Sequence, residues 1–544
     1  MKKLLASCLA LAMALGLTGC GGSDSAEKKD SVIVAVGGDT ADLDPAIVDD
    51  SITNNILVEC YDGLYTLDKD GNIVTNLATD MPEVSEDGLT YTIKVKKDVK
   101  WSNGDDLKAS DFVYAWKRAV SLGSGKAYYS TFISNYVAGA TDGASMDELN
   151  NTFGAKAVDD NTIEITLKQK CAYFTKLMAQ SVFYPVNEAY VSAHDPMSTN
   201  WGHNEDSPYL GAFKVTKVNT KDEVKMVKND KYYAADEIKL KSITFKVMKD
   251  MDAQTNGFKS GEIDFATSVN NDTVEADDSL KDLVYMIDPF VCNYYVLVNA
   301  GDENTNPILK DVDIRNAIGL AINRKDILEV LNFGENASQL YGLVPKGIPG
   351  TDNKDFRTQQ DKQEKLADYN LKEAQKIMKA KGYNEKNMLK LSYSYNDNTM
   401  HKTVAESMQA SLKKAYIDLE LKATEKEAFF DARDKGDFEI CRHAMTADYM
   451  DPMAYLSMYY NNGGKLAANT ADDQTYEDMI TASEKLDGDE RMAKLHEAEN
   501  YLVGTQHYVI PLFQYSEKIL KVENLEGVTS SPDGHYNLTR AEFK

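Results

Sequence analysis

The residues with most to offer a ligand lie in FEICRHAMTADYMDP, residues 438–452. An apolar, strand-like run leads there to Asp448, which is held between Ala447 and Tyr449 and followed by the turn-forming pair Asp451-Pro452. Carboxylates are rarely buried without a charged or hydrogen-bonded partner. An acid so placed is expected to face a cleft and meet a ligand's ammonium, or else to close an internal salt bridge or cap a helix. Spacing alone leaves these roles open. Hydrolytic chemistry is poorly served. Ser411-Leu412-Lys413-Lys414 satisfies the S-x-x-K of an acyl-serine, cell-wall type of hydrolase, but no S-D-N occurs and Lys402-Thr403 is followed by Val404 instead of glycine. The seven histidines contain no H-x-x-x-H or H-x-H cluster, which disfavours a zinc enzyme. Asp68-Lys69-Asp70-Gly71-Asn72 starts like a calcium loop, yet the glycine comes fourth instead of sixth and no glutamate follows at the twelfth place. A hairpin turn explains it better. No catalytic residue, metal or cofactor is therefore expected.

The elements around this stretch begin with a sorting signal. Lys2 and Lys3 precede the apolar residues 4–17, a run too short for a stable membrane helix and suited to the core of a secretory signal. Residues 1–19 are expected to be a lipoprotein signal peptide, because Leu17-Thr18-Gly19-Cys20 has the form of a bacterial lipobox whose cleavage leaves Cys20 as a lipidated first residue. Residues 20–31 then read as a polar, flexible tether. No later segment approaches the roughly twenty apolar residues of a membrane helix, so the body is expected on the extracytoplasmic face of the cell membrane, held by lipid alone. In a cell with an outer membrane that face is periplasmic. Cys60, Cys171, Cys292 and Cys441 are far apart without a C-x-x-C pair, which indicates neither zinc nor a redox motif and leaves their oxidation open.

With 544 residues, 43% of them hydrophobic, the chain is long enough for two or three cored domains. Its formal charge of −26 excludes nucleic acid and anionic lipid as general partners and favours cationic ligands. Residues 32–36 and 89–95 read as strands, and Phe112, Val113, Trp116, Ala119 and Val120 give residues 111–122 a buried helical face that Ser110 can cap. Ile314, Ala317, Ile318 and Ala321 mark another helix. Residues 389–395, 400–415 and 417–423 follow as strand, helix and strand, a βαβ unit that argues α/β lobes with a partly parallel sheet. Residues 162–168 and 213–227 read as antiparallel hairpins, so the sheets are expected to be mixed.

Residues 97–118, KDVKWSNGDDLKASDFVYAWKR, resemble the signature segment of the oligopeptide-binding family of extracellular solute-binding proteins, the peptide-binding lipoproteins and periplasmic proteins that feed ABC importers. YDGLYTLDKDGNI, SPYLGAF, SGEIDF, VCNYYVLVN, DVDIRNAIGLAINRKDI, ADYMDP and VIPLFQY follow in family order, so the resemblance covers essentially the whole chain after the tether. It implies a two-lobed, α/β, periplasmic-binding-protein-like fold with mixed sheets. Lobe I would be discontinuous, from residues 32–76, 200–289 and 516–544; residues 77–199 would form an inserted domain and residues 290–515 lobe II. Residues 294–298 and 508–513 would be hinge strands. The implied role is non-enzymatic: a monomer captures short peptides between its lobes and delivers them to permease subunits. A receptor for signalling peptides or a binder of non-peptide solutes shares the same fold and stays open.

The resemblance also implies ligand contacts. Asp448 falls where family members place the acid that pairs with a peptide's α-ammonium, with Tyr449 beside it. Arg442 and His401 match basic positions that meet the peptide carboxylate. Residues 442–446 would hydrogen-bond the peptide backbone by β-augmentation, and Tyr128, Asn396 and Tyr515 are further carry-overs. Met445 stands where relatives have a tryptophan, Lys426 likewise replaces a wall tryptophan, and Asn332-Phe333 lacks a lysine found in other members. Those departures bear on peptide length and side-chain class. Cys292 matches a cysteine that is disulfide-bonded in some relatives, but its partner position here is Thr446.

Overall fold

Three sheets carry the architecture, and each has the strand pattern its burial demands. The computed structural model describes residues 29–199, 201, 206–301, 306–333, 337–358, 368–460, 466 and 473–544. The expected signal peptide, Cys20 and most of the tether lie outside the described residues. A seven-stranded sheet runs in the order Val284–Ile287, Glu517–Lys521, Phe265–Ala266, Ser31–Val36, Ser242–Val247, Glu223–Lys228, Phe213–Asn219. Ser31–Val36 is its central strand and pairs in parallel on both sides, which is why SVIVAV is apolar almost throughout.

The six-stranded sheet runs in the order Ala337–Gln339, Val509–Tyr515, Cys292–Val298, Ile440–Thr446, Leu389–Asn396, Ile417–Thr424. Cys292–Val298 is buried along its whole length between two antiparallel neighbours. Leu389–Asn396 and Ile417–Thr424 pair in parallel across the helix Thr399–Lys414, the βαβ unit expected from their periodicity. Ser411 is buried on the inner face of that helix, packed as a core residue. A four-stranded antiparallel sheet, Glu83–Val84, Thr90–Lys94, Thr162–Thr166 and Ala155–Asp159, is covered by the helix Ala109–Leu122. Ser110 does not cap that helix. The helix begins two residues earlier than expected, at Ala109, and the Asp111 carboxylate reaches back to accept from the Lys108 backbone N–H at 3.0 Å, as the third residue of a capping box does.

The strand pair Tyr65–Leu67 and Ile73–Thr75 encloses Asp68, whose Oδ1 accepts from the backbone N–H groups of Asp70 and Asn72, both at 2.9 Å. This is a hairpin turn with an acidic residue closing it. Among the described residues no group of three or more His, Cys, Asp or Glu side chains could hold a metal, no helix is long and apolar enough to cross a membrane, and Cys60, Cys171, Cys292 and Cys441 are buried free thiols. Cys292 lies directly opposite Thr446 in the ladder.

The two lobes join at short connectors. Val284–Ile287 belongs to the seven-stranded sheet and Cys292–Val298 to the six-stranded one, so the chain crosses within residues 288–291. It returns at Ser516, between Val509–Tyr515 and Glu517–Lys521. The crossings thus sit just outside the two strands expected to hinge, of which residues 294–298 run between two antiparallel neighbours. Two buried ion-pair groups tie elements around the four-stranded sheet to their neighbours. Arg118 donates to both oxygens of Asp44 at 2.9 and 2.6 Å. Asp451 accepts from Arg491 at 3.0 and 2.6 Å and from Lys176 at 3.0 Å.

Candidate functional site

Asp448 leaves the end of the strand Ile440–Thr446 and lies half-buried in the wall of a cavity of about 820 Å³. Tyr129 donates its hydroxyl to Asp448 Oδ1 at 3.0 Å. Tyr128 lines the same cavity, and its ring meets that of Tyr129 edge-on at 4.8 Å. Burial first, and the Asp448 charge second, push both phenols well above their ordinary pKa, so they stay protonated and able to donate. Tyr449 is buried behind the acid, stacked on Tyr173 at 5.3 Å and edge-on to Phe132 at 5.6 Å. Beneath it Asp451 holds Arg491 and Lys176, and the Arg491 guanidinium lies 5.1 Å from the Tyr173 ring. Burial opposes ionisation of Asp451, but the two cations outweigh it and hold its carboxyl below the usual range. The arrangement is an acid on a rigid aromatic support, open to a cavity of ligand size.

The strand itself is paired unevenly. Its Cys292–Val298 side is complete, with registers from Cys292↔Thr446 to Val298↔Ile440. On the other side only Tyr393↔Ile440 and Ser394↔Cys441 are paired, after which the two strands part. Among the described residues no strand occupies the edge of Arg442 to Thr446. Arg442 sits in the split, donating through Nη2 to Asn396 Oδ1, with its guanidinium 5.0 and 5.3 Å from the rings of Phe429 and Phe430. Arg442 is buried, its Nε has no hydrogen-bond partner, and among the described residues no carboxylate pairs with it. Burial lowers its pKa from the arginine range. Close by, His401 Nδ1 is 3.2 Å from the Tyr294 hydroxyl. Burial, helped by the Arg442 charge, lowers the His401 pKa to about 4, so the imidazole is neutral at pH 7.

The structure therefore groups the expected residues in two places: Asp448, Tyr449 and Tyr128 around the cavity, and Arg442, Asn396 and His401 at the strand split. Met445 joins neither group. It shares with His443 the face opposite Arg442 and packs in the core. Tyr515 also stands apart, accepting from the Cys292 thiol at 3.2 Å among the rings of Phe290, Phe333 and Phe513.

Sequence comparison decides the family. The model of the bacterial extracellular solute-binding proteins, family 5 Middle, matches residues 72–467, well over half the chain. The chain belongs to this family of solute-binding proteins. It is 28% identical over 557 residues to the oligopeptide-binding protein OppA of Bacillus subtilis (strain 168), covering 98% of each. Among solved structures it is similar to "Listeria monocytogenes OppA bound to peptide", with a TM-score of 0.74, 25% identity, and 95% and 99% of the two chains covered. The substrate-binding domain of an oligopeptide ABC transporter from Bacillus anthracis str. Ames is also similar, with a TM-score of 0.74, 26% identity, and 95% and 100% coverage. Family 5 membership and these likenesses make the fold a two-lobed one of the periplasmic-binding-protein type.

Several residues of this candidate site escape a reading of the sequence. Tyr129, the neighbour of the expected Tyr128, bonds Asp448. The tandem YY pair was the only signal, and a short 3-10 turn, Tyr128–Ser130, gives no periodicity from which to choose between them. Phe429 and Phe430, adjacent on the helix Lys426–Asp434, and Tyr294 on its strand read as ordinary core residues.

Proposed function

We propose that the protein is the substrate-binding component of an ABC peptide importer, anchored through lipidated Cys20 outside the cytoplasmic membrane. The observation that carries this reading is the open edge of residues 442–446, which runs from a buried guanidinium at Arg442 toward the acid Asp448. A short peptide adding itself to that edge places main-chain groups on the strand, its α-ammonium toward Asp448 and a carboxylate toward Arg442. His401, neutral at working pH, serves there as a hydrogen-bonding neighbour and not as a second charge. Side chains are left to wet cavities, which suits broad selection. The peptide-binding names of the relatives support the same assignment.

Residues 32–76, 200–289 and 516–544 form lobe I in this reading, residues 77–199 the inserted domain and residues 290–515 lobe II. The lobes close over ligand by bending at residues 288–291 and Ser516, the monomer then hands the peptide to its permease, and no bond is cleaved. Mass spectrometry of ligands that survive native purification tests the proposal. Intact short peptides are expected at up to one per protein. Recovery of only non-peptide solutes, or cleavage of an added peptide pool in excess of protein, would remove it.

A further inference from the structure

The cavity that holds Asp448 contains a second carboxylate without an evident duty, Glu484. It ends the helix Gln474–Glu484, is half-buried, and lines the same space of about 820 Å³. Among the described residues no hydrogen bond or ion pair reaches it. Arg491, the nearby cation, is engaged by both oxygens of Asp451. Lys168, the one lysine in the lining, donates to the carbonyl oxygens of Ser134 and Ala140 at 2.6 and 2.8 Å.

A carboxylate that loses hydration without gaining a counter-charge is unfavourable until something supplies one. Burial raises the Glu484 pKa, with Arg491 and Lys485 only partly offsetting it. The walls around it are aromatic, among them Tyr128, Phe132, Tyr136, Tyr173 and Tyr460. Aromatic faces attract cations, and guanidinium groups stack on them well.

We propose that Glu484 gives this cavity a second cation position beside Asp448, so that the preferred ligands are peptides beginning with lysine or arginine. The α-ammonium meets Asp448, and the first side chain runs along the aromatic wall to Glu484. This inference rests on the peptide-binding reading above and adds a side-chain class to it. An acidic first residue is disfavoured by both carboxylates.

Calorimetric titration with peptides of two to five residues, matched except for a first residue of lysine, arginine or norleucine, tests it. Norleucine keeps lysine's carbon chain without the charge. Lysine-first and arginine-first peptides are expected to bind the wild-type protein about tenfold or more tightly than norleucine-first ones, a difference that Glu484→Gln reduces to about twofold or less. The variant should hold the norleucine-first peptide as the wild type does, which also establishes that it is folded. Equal wild-type affinity for the charged and neutral peptides overturns the inference and needs no variant. So does a preference that survives in Glu484→Gln. If no peptide of either kind binds the wild type, the peptide-binding reading itself falls, whereas binding without preference removes only the role of Glu484.

Discussion

The two ends of the strand Ile440–Thr446 treat charge in opposite ways. Asp448 stands half-exposed at a cavity, supported by the Tyr129 hydroxyl and an ion-paired aromatic floor. Arg442 is buried between phenylalanines with, among the described residues, one side-chain amide as its hydrogen-bond partner. An accessible acid keeps water in reserve and is stable with or without ligand. A desolvated guanidinium lacking a carboxylate is a standing cost, of the kind retained where a function needs the charge. The difference teaches that the acid end is held rigidly in position, whereas the basic end is left incompletely paired by the residues around it.

The largest effect expected is on the acid end's support. Asp451→Ala strands Arg491 and Lys176 and should destabilise the protein by about 3–5 kcal/mol in denaturant titration. The Asp451 carboxyl is held below its ordinary range, so this contribution is present above the unfolded-state pKa and is lost as pH falls through the lower folded value. An effect at pH 7 no larger than that of a surface pair, about 1 kcal/mol or less, would break the contrast between a rigid and an incomplete end.

Arg442→Met should behave oppositely. Removing a buried, poorly paired charge leaves stability unchanged or higher, while peptides with a free C-terminal carboxylate bind weaker by about 2 kcal/mol or more. Amidated peptides should lose little. Melting curves together with calorimetry on both peptide forms check this, and a loss of stability with equal loss for both peptides would make Arg442 structural.

The smallest effect concerns His401, whose folded pKa of about 4 is depressed. Its neutral form contributes stability fully above the unfolded pKa of about 6.5, and that contribution fades as pH falls through the folded value. The melting temperature of the wild type should therefore fall more between pH 6.5 and 4 than that of His401→Gln. Peptide affinity should stay flat between pH 6 and 8, and a steep rise toward pH 6 would mean that the imidazole binds ligand as a cation.

Much of this organisation is legible in the sequence where burial imposes a period. SVIVAV and the βαβ run from Leu389 to Thr424 announce their strands and pairing because one pattern fits one environment. Asp448 stands out for a different reason, since a carboxylate after an apolar strand needs a partner, though spacing alone leaves that partner open. What stays hidden depends on distant contacts. Asp451 looks like a turn residue beside Pro452 until Arg491 and Lys176 arrive from other elements. The parting of two strands after Cys441 has no local signature, and neither does Glu484, an ordinary helix-end residue until distant tyrosines line the same cavity.

Asp448 carries the central claim, and a comparison of free and N-acetylated peptides on wild-type protein and Asp448→Asn tests it most directly. If Asp448 anchors the α-ammonium, the substitution keeps shape but loses the charge-assisted bond, and free peptides should bind about 30-fold more weakly, corresponding to about 2 kcal/mol. N-acetylated peptides should bind the wild type poorly and be almost indifferent to the substitution. Equal weakening of both peptide forms would contradict the anchor and make Asp448 a structural acid.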